Sequence, residues 1–210
     1  ITFIAFTVPL PYYIEVPGTS EDIRKVLQVN NQPDQEEGSY QFVTVGVKHA
    51  RMVDLVYAWL TPFTDIRSAK EMTGGSSDAE FMRINQFYME TSQNMAKYQG
   101  LKAAGKEIEL KYLGVYVLTV TDNSTFKGIL NIADTVTAVN DKTFESSKEM
   151  VDYVNSQTLG DKVKVTYQED GKVKTAEGKI ITLENGKNGI GIGLIDRTEV
   201  SSDVPIKFST

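Results

Sequence analysis

The sequence predicts an α+β protein: an N-terminal mixed α/β region with a long helix, followed by a β-rich stretch with one main helix. Three observations predict it. Residues 79–104 hold no proline and no β-branched run, with Gly100 the one internal glycine, so they read as a long helix stopped by Gly105. From Lys106 the pattern switches to period two, with Ile108 and Leu110 alternating with Glu107, Glu109 and Lys111. Downstream, Glu169-Asp170-Gly171 is a strong turn signal joining residues 163–167 and 173–183 as a hairpin. At 210 residues the chain has room for one large domain or two small ones.

The elements follow in order. There is no charge before Glu15, a stretch too short for the roughly 20 apolar residues of a span. Residues 1–10 are therefore expected to be the outer end of a membrane anchor whose start is missing. Pro9 and Pro11 would end its helix, and Tyr12-Tyr13 would sit at the interface. A buried first strand is the alternative. Thr19-Ser20-Glu21-Asp22 has the side chains of a helix start, with a strand expected at 26–29. Asn30-Asn31-Gln32-Pro33-Asp34 is a turn, and residues 40–47 a strand. Residues 50–60 are apolar almost all round and hold the only tryptophan, Trp59, which reads as a buried or partner-facing helix ended by Pro62. Ser77 and Glu80 form a capping box for the long helix, whose core face is expected to carry Phe81, Ile84, Tyr88, Met95 and Leu101. Residues 11–105 thus make the N-terminal region. In 106–186, strands at 106–112 and 115–120 flank Leu113-Gly114, apolar runs follow around Asp134, and Ser146 or Ser147 opens a helix with Met150, Val151, Tyr153 and Val154. The last residues, 204–210, alternate like a strand entering something further, so both ends suggest a piece of a longer protein.

Composition removes whole classes of chemistry. With no cysteine, thiol nucleophiles, disulfides and thiolate metal sites are excluded. His49 is the only histidine, so a multi-histidine metal site cannot form. The chain has 22 basic and 28 acidic residues, net −6, and splitting it after Gly105 leaves −3 on each side. That even acidity leaves no electrostatic footprint for nucleic acid. No cofactor is expected.

Tyr112-Leu113-Gly114-Val115 resembles the carboxylate-binding loop of a PDZ domain. Gly128-Ile129-Leu130, then Ala133-Asp134-Thr135-Val136-Thr137-Ala138-Val139-Asn140, resembles the run that follows in that family, with Ala133 and Asp141 where glycine is usual. The resemblance implies a small, partly open antiparallel β-barrel with one main helix over 106–186. It also implies a groove in which an extended peptide adds to the second strand. Leu113, Gly114, Val115, Tyr116, Val117, Met150 and Tyr153 are the peptide-binding residues it implies. Backbone N–H groups at 113–115 would face a terminal carboxylate, and Val115, Val117, Met150 and Tyr153 would wall the last side chain. A few such bonds and one buried side chain amount to roughly 6–8 kcal/mol, in the micromolar range. In the alternative reading these residues are core.

Over nearly its whole length the chain also resembles the SepM/YlbL-like proteases of Gram-positive bacteria. The residues that carry this are Val8-Pro9-Leu10-Pro11-Tyr12-Tyr13-Ile14 with Pro17-Gly18 just after, Phe42-Val43-Thr44-Val45, Glu90-Thr91-Ser92-Gln93-Asn94, Gly114-Val115-Tyr116-Val117, Gly189-Ile190-Gly191-Ile192-Gly193 and Val204-Pro205-Ile206. That resemblance implies one membrane anchor, a PDZ domain and an extracellular Lon-type (S16) Ser–Lys serine peptidase domain, of which 187–210 would be the start. The chain would then sit at the cell membrane, single-pass, with its bulk extracellular. Its partners would be peptide or protein substrates, possible peptide pheromones of quorum sensing among them, and its own C-terminal peptidase domain. The family's catalytic serine and lysine have no counterpart here, so no catalytic residue is assigned and the chain is expected to be inactive alone. The rival reading is a non-enzymatic peptide-binding adaptor.

Other motifs carry less. Gly189, Gly191 and Gly193 lack the glycine at 194 and the strand-to-helix setting of a dinucleotide loop, and strand alternation explains them. His49 has no acid nearer in sequence than Asp54, and Glu36-Glu37 and Glu169-Asp170 read as solvated turn acids.

Overall fold

The structure, a computed structural model, describes residues 6–209. It consists of two compact units. One comprises the chain up to Asp78 together with the segment from Val204, and the other is Ala79–Asp203.

In the first unit β1 (Pro9–Asp22) lies between β3 (Gln41–Arg51) and β4 (Asp65–Ser68), antiparallel to both. Ile14 and Ala50 are fully buried and Tyr13 nearly so. Residues 1–5 of the expected anchor lie outside the described residues, and Pro9 already pairs with Arg51 as a strand. Among the described residues no helix is long and apolar enough to cross a membrane.

The helix start read at Thr19–Asp22 is corrected. Ser20, Glu21 and Asp22 pair with Val43, Phe42 and Gln41, so β1 runs through them. The helical turn that follows is a 3-10 turn of only three residues, Ile23–Lys25. Its cap is Asp22, whose carboxylate accepts from Arg24 N–H at 2.9 Å. β2 (Leu27–Val29) then pairs with β12 (Ile206–Phe208), close to the end of the chain.

Helix α1 (Met52–Leu60) is the apolar helix predicted, but among its residues only Asp54 is buried, and Trp59 is 84 % exposed. The short helix α2 (Ala69–Thr73) has a capping box, with Ser68 accepting from Glu71 N–H and Glu71 accepting from Ser68 N–H.

His49 does find an acid, though not Asp54. Its Nε2 lies 2.6 Å from Asp78 Oδ2, while Tyr13 donates to Asp78 Oδ1 at 2.5 Å and its ring lies 4.3 Å from the imidazole. Asp54 instead pairs with Lys48 at 2.9 Å.

The second unit begins in α3 (Asp78–Ala103). Its five-stranded antiparallel sheet has the order β11-β5-β6-β7-β8, from β5 (Glu109–Val120), β6 (Thr135–Val139), β7 (Lys162–Glu169), β8 (Lys172–Lys179) and β11 (Ile192–Ser201). Two-residue strands β9 (Ile181–Thr182) and β10 (Asn188–Gly189) pair with each other. Helix α4 (Ser147–Asn155) is capped by Ser146, which accepts from Glu149 N–H.

Alternation along β5 feeds two cores. Val115 and Val117 join Phe126, Val136, Met150 and Val154 on the α4 side. Tyr116 and Leu118 join Phe87 of α3, whose ring stacks on Tyr116 at 3.9 Å and 5°. Residues 188–201, expected to open a further domain, therefore belong to this unit, whereas β12 belongs to the first.

The two strands read on either side of Leu113-Gly114 are one. Tyr112 faces Thr198 and Gly114 faces Arg197, so Leu113 is the extra residue of a bulge. Gly114 has φ 124°, and a Cβ there would lie 2.2 Å from the Val136 carbonyl oxygen. This glycine lets β5 pass β6.

Two predictions follow from these contacts. Gly114→Ala should lower the urea midpoint by an amount equal to about 3 kcal/mol or more at unchanged m-value. A loss within 1 kcal/mol would mean that the close β5–β6 approach is not required. The Tyr13 phenol is pushed up to about 12, first by its bond to Asp78, then by burial and by the Asp78 charge. Its proton is held more tightly folded than unfolded, so this stabilisation is complete below about pH 10 and disappears as pH rises through 12. Denaturant curves at pH 9 to 12 should show Tyr13→Phe losing less stability over that window than the unaltered chain.

Candidate functional site

A strand can accept a visitor only along an edge with unpaired N–H and C=O groups. Of the five predicted site residues on β5, Gly114, Val115, Tyr116 and Val117 have none to offer. Leu113 is the bulge residue, Gly114 and Val115 face Arg197 and Asp196 of β11, and Val115 and Tyr116 also face Val136 and Thr135 of β6. Val117 N–H donates to Asp134 O at 2.8 Å, and its carbonyl accepts from Ala133 N–H at 3.0 Å. The expected carboxylate loop at Leu113-Gly114-Val115 is therefore corrected: β5 is an interior strand, and its valines are core.

Tyr153 is corrected too. Its ring packs 5.5 Å from Phe144 and its hydroxyl accepts from Asn140 Nδ2 at 3.2 Å. Of the seven predicted residues, Met150 alone lines the groove described next.

The edge strand is β11, the terminal strand of the sheet beside α4. Both irregularities of its pairing place the extra residue, Leu113 or Leu118, on β5, so β11 itself alternates without a break. Gly191 O accepts from Thr121 N–H at 2.9 Å, which turns the odd-numbered residues of β11 toward β5. Ile192 and Leu194 then present N–H and C=O to the free edge.

Between that edge and α4 lies a narrow cleft of about 60 Å³. Met150, Val151 and Val154 line one side, Ile190, Ile192 and Leu194 the other. Such a space is apolar and takes one small aliphatic side chain.

The loop entering β11 closes the cleft at one end. Gly191 has φ 73°, and a Cβ there would lie 2.5 Å from Thr121 Oγ1 and 2.8 Å from Ser124 Cβ. Ser124 Oγ donates to Ile190 O at 2.6 Å. The loop is thus pinned through its carbonyls. At the other end Asp196 Oδ1 accepts from Ser147 N–H at 3.2 Å, tying β11 to the start of α4. Beneath, Tyr112 packs against the core with a buried hydroxyl that finds no partner. Burial, then the charges of Asp196 and Glu149, push its phenol well above the usual range, so it stays neutral.

Sequence reasoning missed Ile190, Gly191, Ile192 and Leu194, although Ile190-Gly191-Ile192 repeats the hydrophobic–glycine–hydrophobic pattern read at Leu113-Gly114-Val115. It also missed Thr91 and Asn94 of α3, which donate to Asp196 O at 2.9 Å and Thr198 O at 2.8 Å. Among the described residues no cluster of His, Asp and Glu could hold a metal ion. What this geometry can do chemically is bind an extended chain.

No curated protein matches the chain. Solved structures do. The PDZ domain of the SdrC-like protein of Listeria monocytogenes is 35 % identical, with 41 % of this chain and 93 % of that one covered and a TM-score of 0.39. The PDZ domain of the SdrC-like protein of Listeria innocua is 38 % identical over 39 % of this chain and 92 % of that one, with a TM-score of 0.37. A protein of Geobacillus thermodenitrificans, solved in solution, is 30 % identical over 38 % and 94 %, with a TM-score of 0.35. The family model described as a PDZ domain matches residues 86–180. Through that region, the chain belongs to the PDZ-domain family.

Proposed function

We propose that the α4–β11 groove binds the C-terminal segment of a peptide or protein by strand addition. The observation that carries this reading is the free edge of Ile192 and Leu194 beside an apolar cleft sized for one small side chain. A visitor running antiparallel to β11 puts its terminus at the Ile190-Gly191-Ile192 loop. Successive N–H groups at such a turn form a concavity that suits a carboxylate. The terminal side chain enters the cleft between Met150 and Ile192. Recruitment of this kind is reversible, because a few backbone bonds and one small side chain give micromolar-range affinity.

The wider reading is that the groove serves a membrane-anchored, extracellular Lon-type Ser–Lys peptidase, presenting secreted peptides or proteins to a domain encoded after Thr210. What supports it is the resemblance of residues 8–14, 17–18, 42–45, 90–94, 114–117, 189–193 and 204–206 to the SepM/YlbL-like proteases. The second reading, an adaptor without an enzyme, is favoured by the PDZ match itself. Sequencing the parent gene past Thr210 separates them, since a serine–lysine peptidase domain is either encoded there or absent.

Titration with peptides ending in valine or alanine should shift the amides of residues 190–194 and 150–155. Amidating the peptide terminus should weaken binding at least tenfold, since bonds to a charged group contribute about 1.5–3 kcal/mol each. Val151→Arg, on the lip of the cleft, should cost about tenfold, or 1.4 kcal/mol, with an unchanged circular dichroism spectrum. Shifts confined to other residues, or indifference to amidation, would remove the groove from the account. Peptides incubated with the purified chain should remain intact by mass spectrometry, and reproducible cleavage would assign the chemistry to these 210 residues.

A further inference from the structure

We infer that β3 is the seam of a two-fold symmetric dimer, in which it pairs antiparallel with β3 of a second copy of this chain across Val45. β3 is the terminal strand of the first unit's sheet, so one of its edges has no strand beside it. Proteins blunt such edges with charges, proline, bulges or shortness. β3 runs for 11 residues, and residues 38–47 hold neither a charge nor a proline. Both irregularities in its pairing place the extra residues on β1, so β3 itself alternates without a break.

Pairing with β1 decides which residues face outward. Pro17 lies opposite Val45 and has no N–H to exchange, so Val45 turns its own N–H and C=O away from β1. Ile23 N–H donates to the Tyr40 carbonyl at 2.9 Å, which assigns the even-numbered residues to the β1 side by the same alternation. Val43, Val45 and Val47 therefore present their backbone groups to the free edge, and their side chains share one face. They are 80, 61 and 43 % exposed.

A second copy fits this edge because the strand is complementary to itself. A two-fold axis at Val45 sets Val45 against Val45, Val43 against Val47 and Gln41 against His49. All are outward-facing residues, so each pair exchanges two backbone bonds. Valine meets valine through the centre of the seam. On the other face Lys48, which is paired with Asp54 at 2.9 Å, comes opposite Phe42, so no charge meets a like charge. Moving the axis to Val43 carries the pairing beyond Gln41, where the strand begins, and moving it to Val47 sets His49 and Arg51 against valines. A one-residue slip turns the wrong backbone groups to the edge. The resulting sheet has six strands, in the order β4-β1-β3-β3-β1-β4. A seam one strand wide falls at the small end of specific interfaces, which begin at roughly 1,200 Å² in total, so the association is reversible.

Sedimentation over a concentration series should show the 23.3 kDa chain giving way to a species of twice that mass. Val45→Lys puts two ammonium groups face to face on the axis and should weaken association at least tenfold, with an unchanged circular dichroism spectrum. Amide exchange at Val43, Val45 and Val47 should slow as concentration rises, while Phe42, Gly46 and Lys48, already bonded toward β1, keep their rates. A charge swap reads the register. Val43→Lys and Val47→Glu should each weaken self-association, and an equimolar mixture of the two should restore the dimer. Because the chain has no cysteine, Val45→Cys should cross-link to its own copy on mild oxidation, a readout that needs no charged variant to fold. A chain that stays monomeric to about 0.5 mM would overturn the seam. So would a dimer indifferent to Val45→Lys, whose interface must lie elsewhere, or a monomer whose β3 amides gain protection only from lipid vesicles or a foreign strand.

Discussion

The backbone bonds of β5 around Val115–Val117 are spent on both sides, and the rest of the second unit is arranged around that constraint. β11 and β6 occupy its two edges, so β5 can only be the centre of a core, with Val115 and Val117 on one face and Tyr116 and Leu118 on the other. Both irregularities in the β5–β11 ladder fall on β5. The cost in lost alternation is therefore borne by the interior strand, and β11 keeps the regular order that a visiting strand needs.

An exposed edge is also a hazard, since it pairs with any chain that offers a complementary strand. This fold manages the hazard by dividing the edge. Helix α3 lies against the face opposite α4, held by the stacked rings of Phe87 and Tyr116 and by Ile84 and Ile195. From there it sends two polar side chains to the carbonyls of Asp196 and Thr198. The segment next to the Gly191 loop is left bare. An edge divided in this way gives less purchase for non-specific pairing, and its bare part lies beside an apolar cleft that rewards the correct ligand.

Local chemistry was legible where local chemistry decides. The long helix, the capped helix at Ser146, the hairpin through Asp170-Gly171 and the short strand at 27–29 all follow from spacing, caps and turns. The α3 face was half legible. Leu101 is buried as read, but Tyr88 and Met95 are exposed, 49 % and 40 %. The inward stripe includes Thr91 and Asn94, which a count of apolar residues passes over. The site strand was not legible for a different reason. Leu113-Gly114-Val115 and Ile190-Gly191-Ile192 are the same pattern, and what separates them is which strand lies beside each. Pairing across some eighty residues of chain, as between Tyr116 and Ile195, leaves no trace in either segment.

The pairing of β2 with β12 sets the order in which this chain can assemble. Residues 27–29 find their partners only when 206–208 leave the ribosome, a wait of roughly 10–35 s at ordinary rates of synthesis. Every strand of the second unit's sheet has emerged by then. Its β5–β11 ladder sets Glu109 opposite Ser201, so finishing that sheet pulls two distant points of the chain to within about 5 Å of one another. The long loop that would have opposed β2–β12 closure is shortened in advance, and its entropic toll is met by a body already folded. The inserted unit thus acts as the clasp on which completion of the first unit waits.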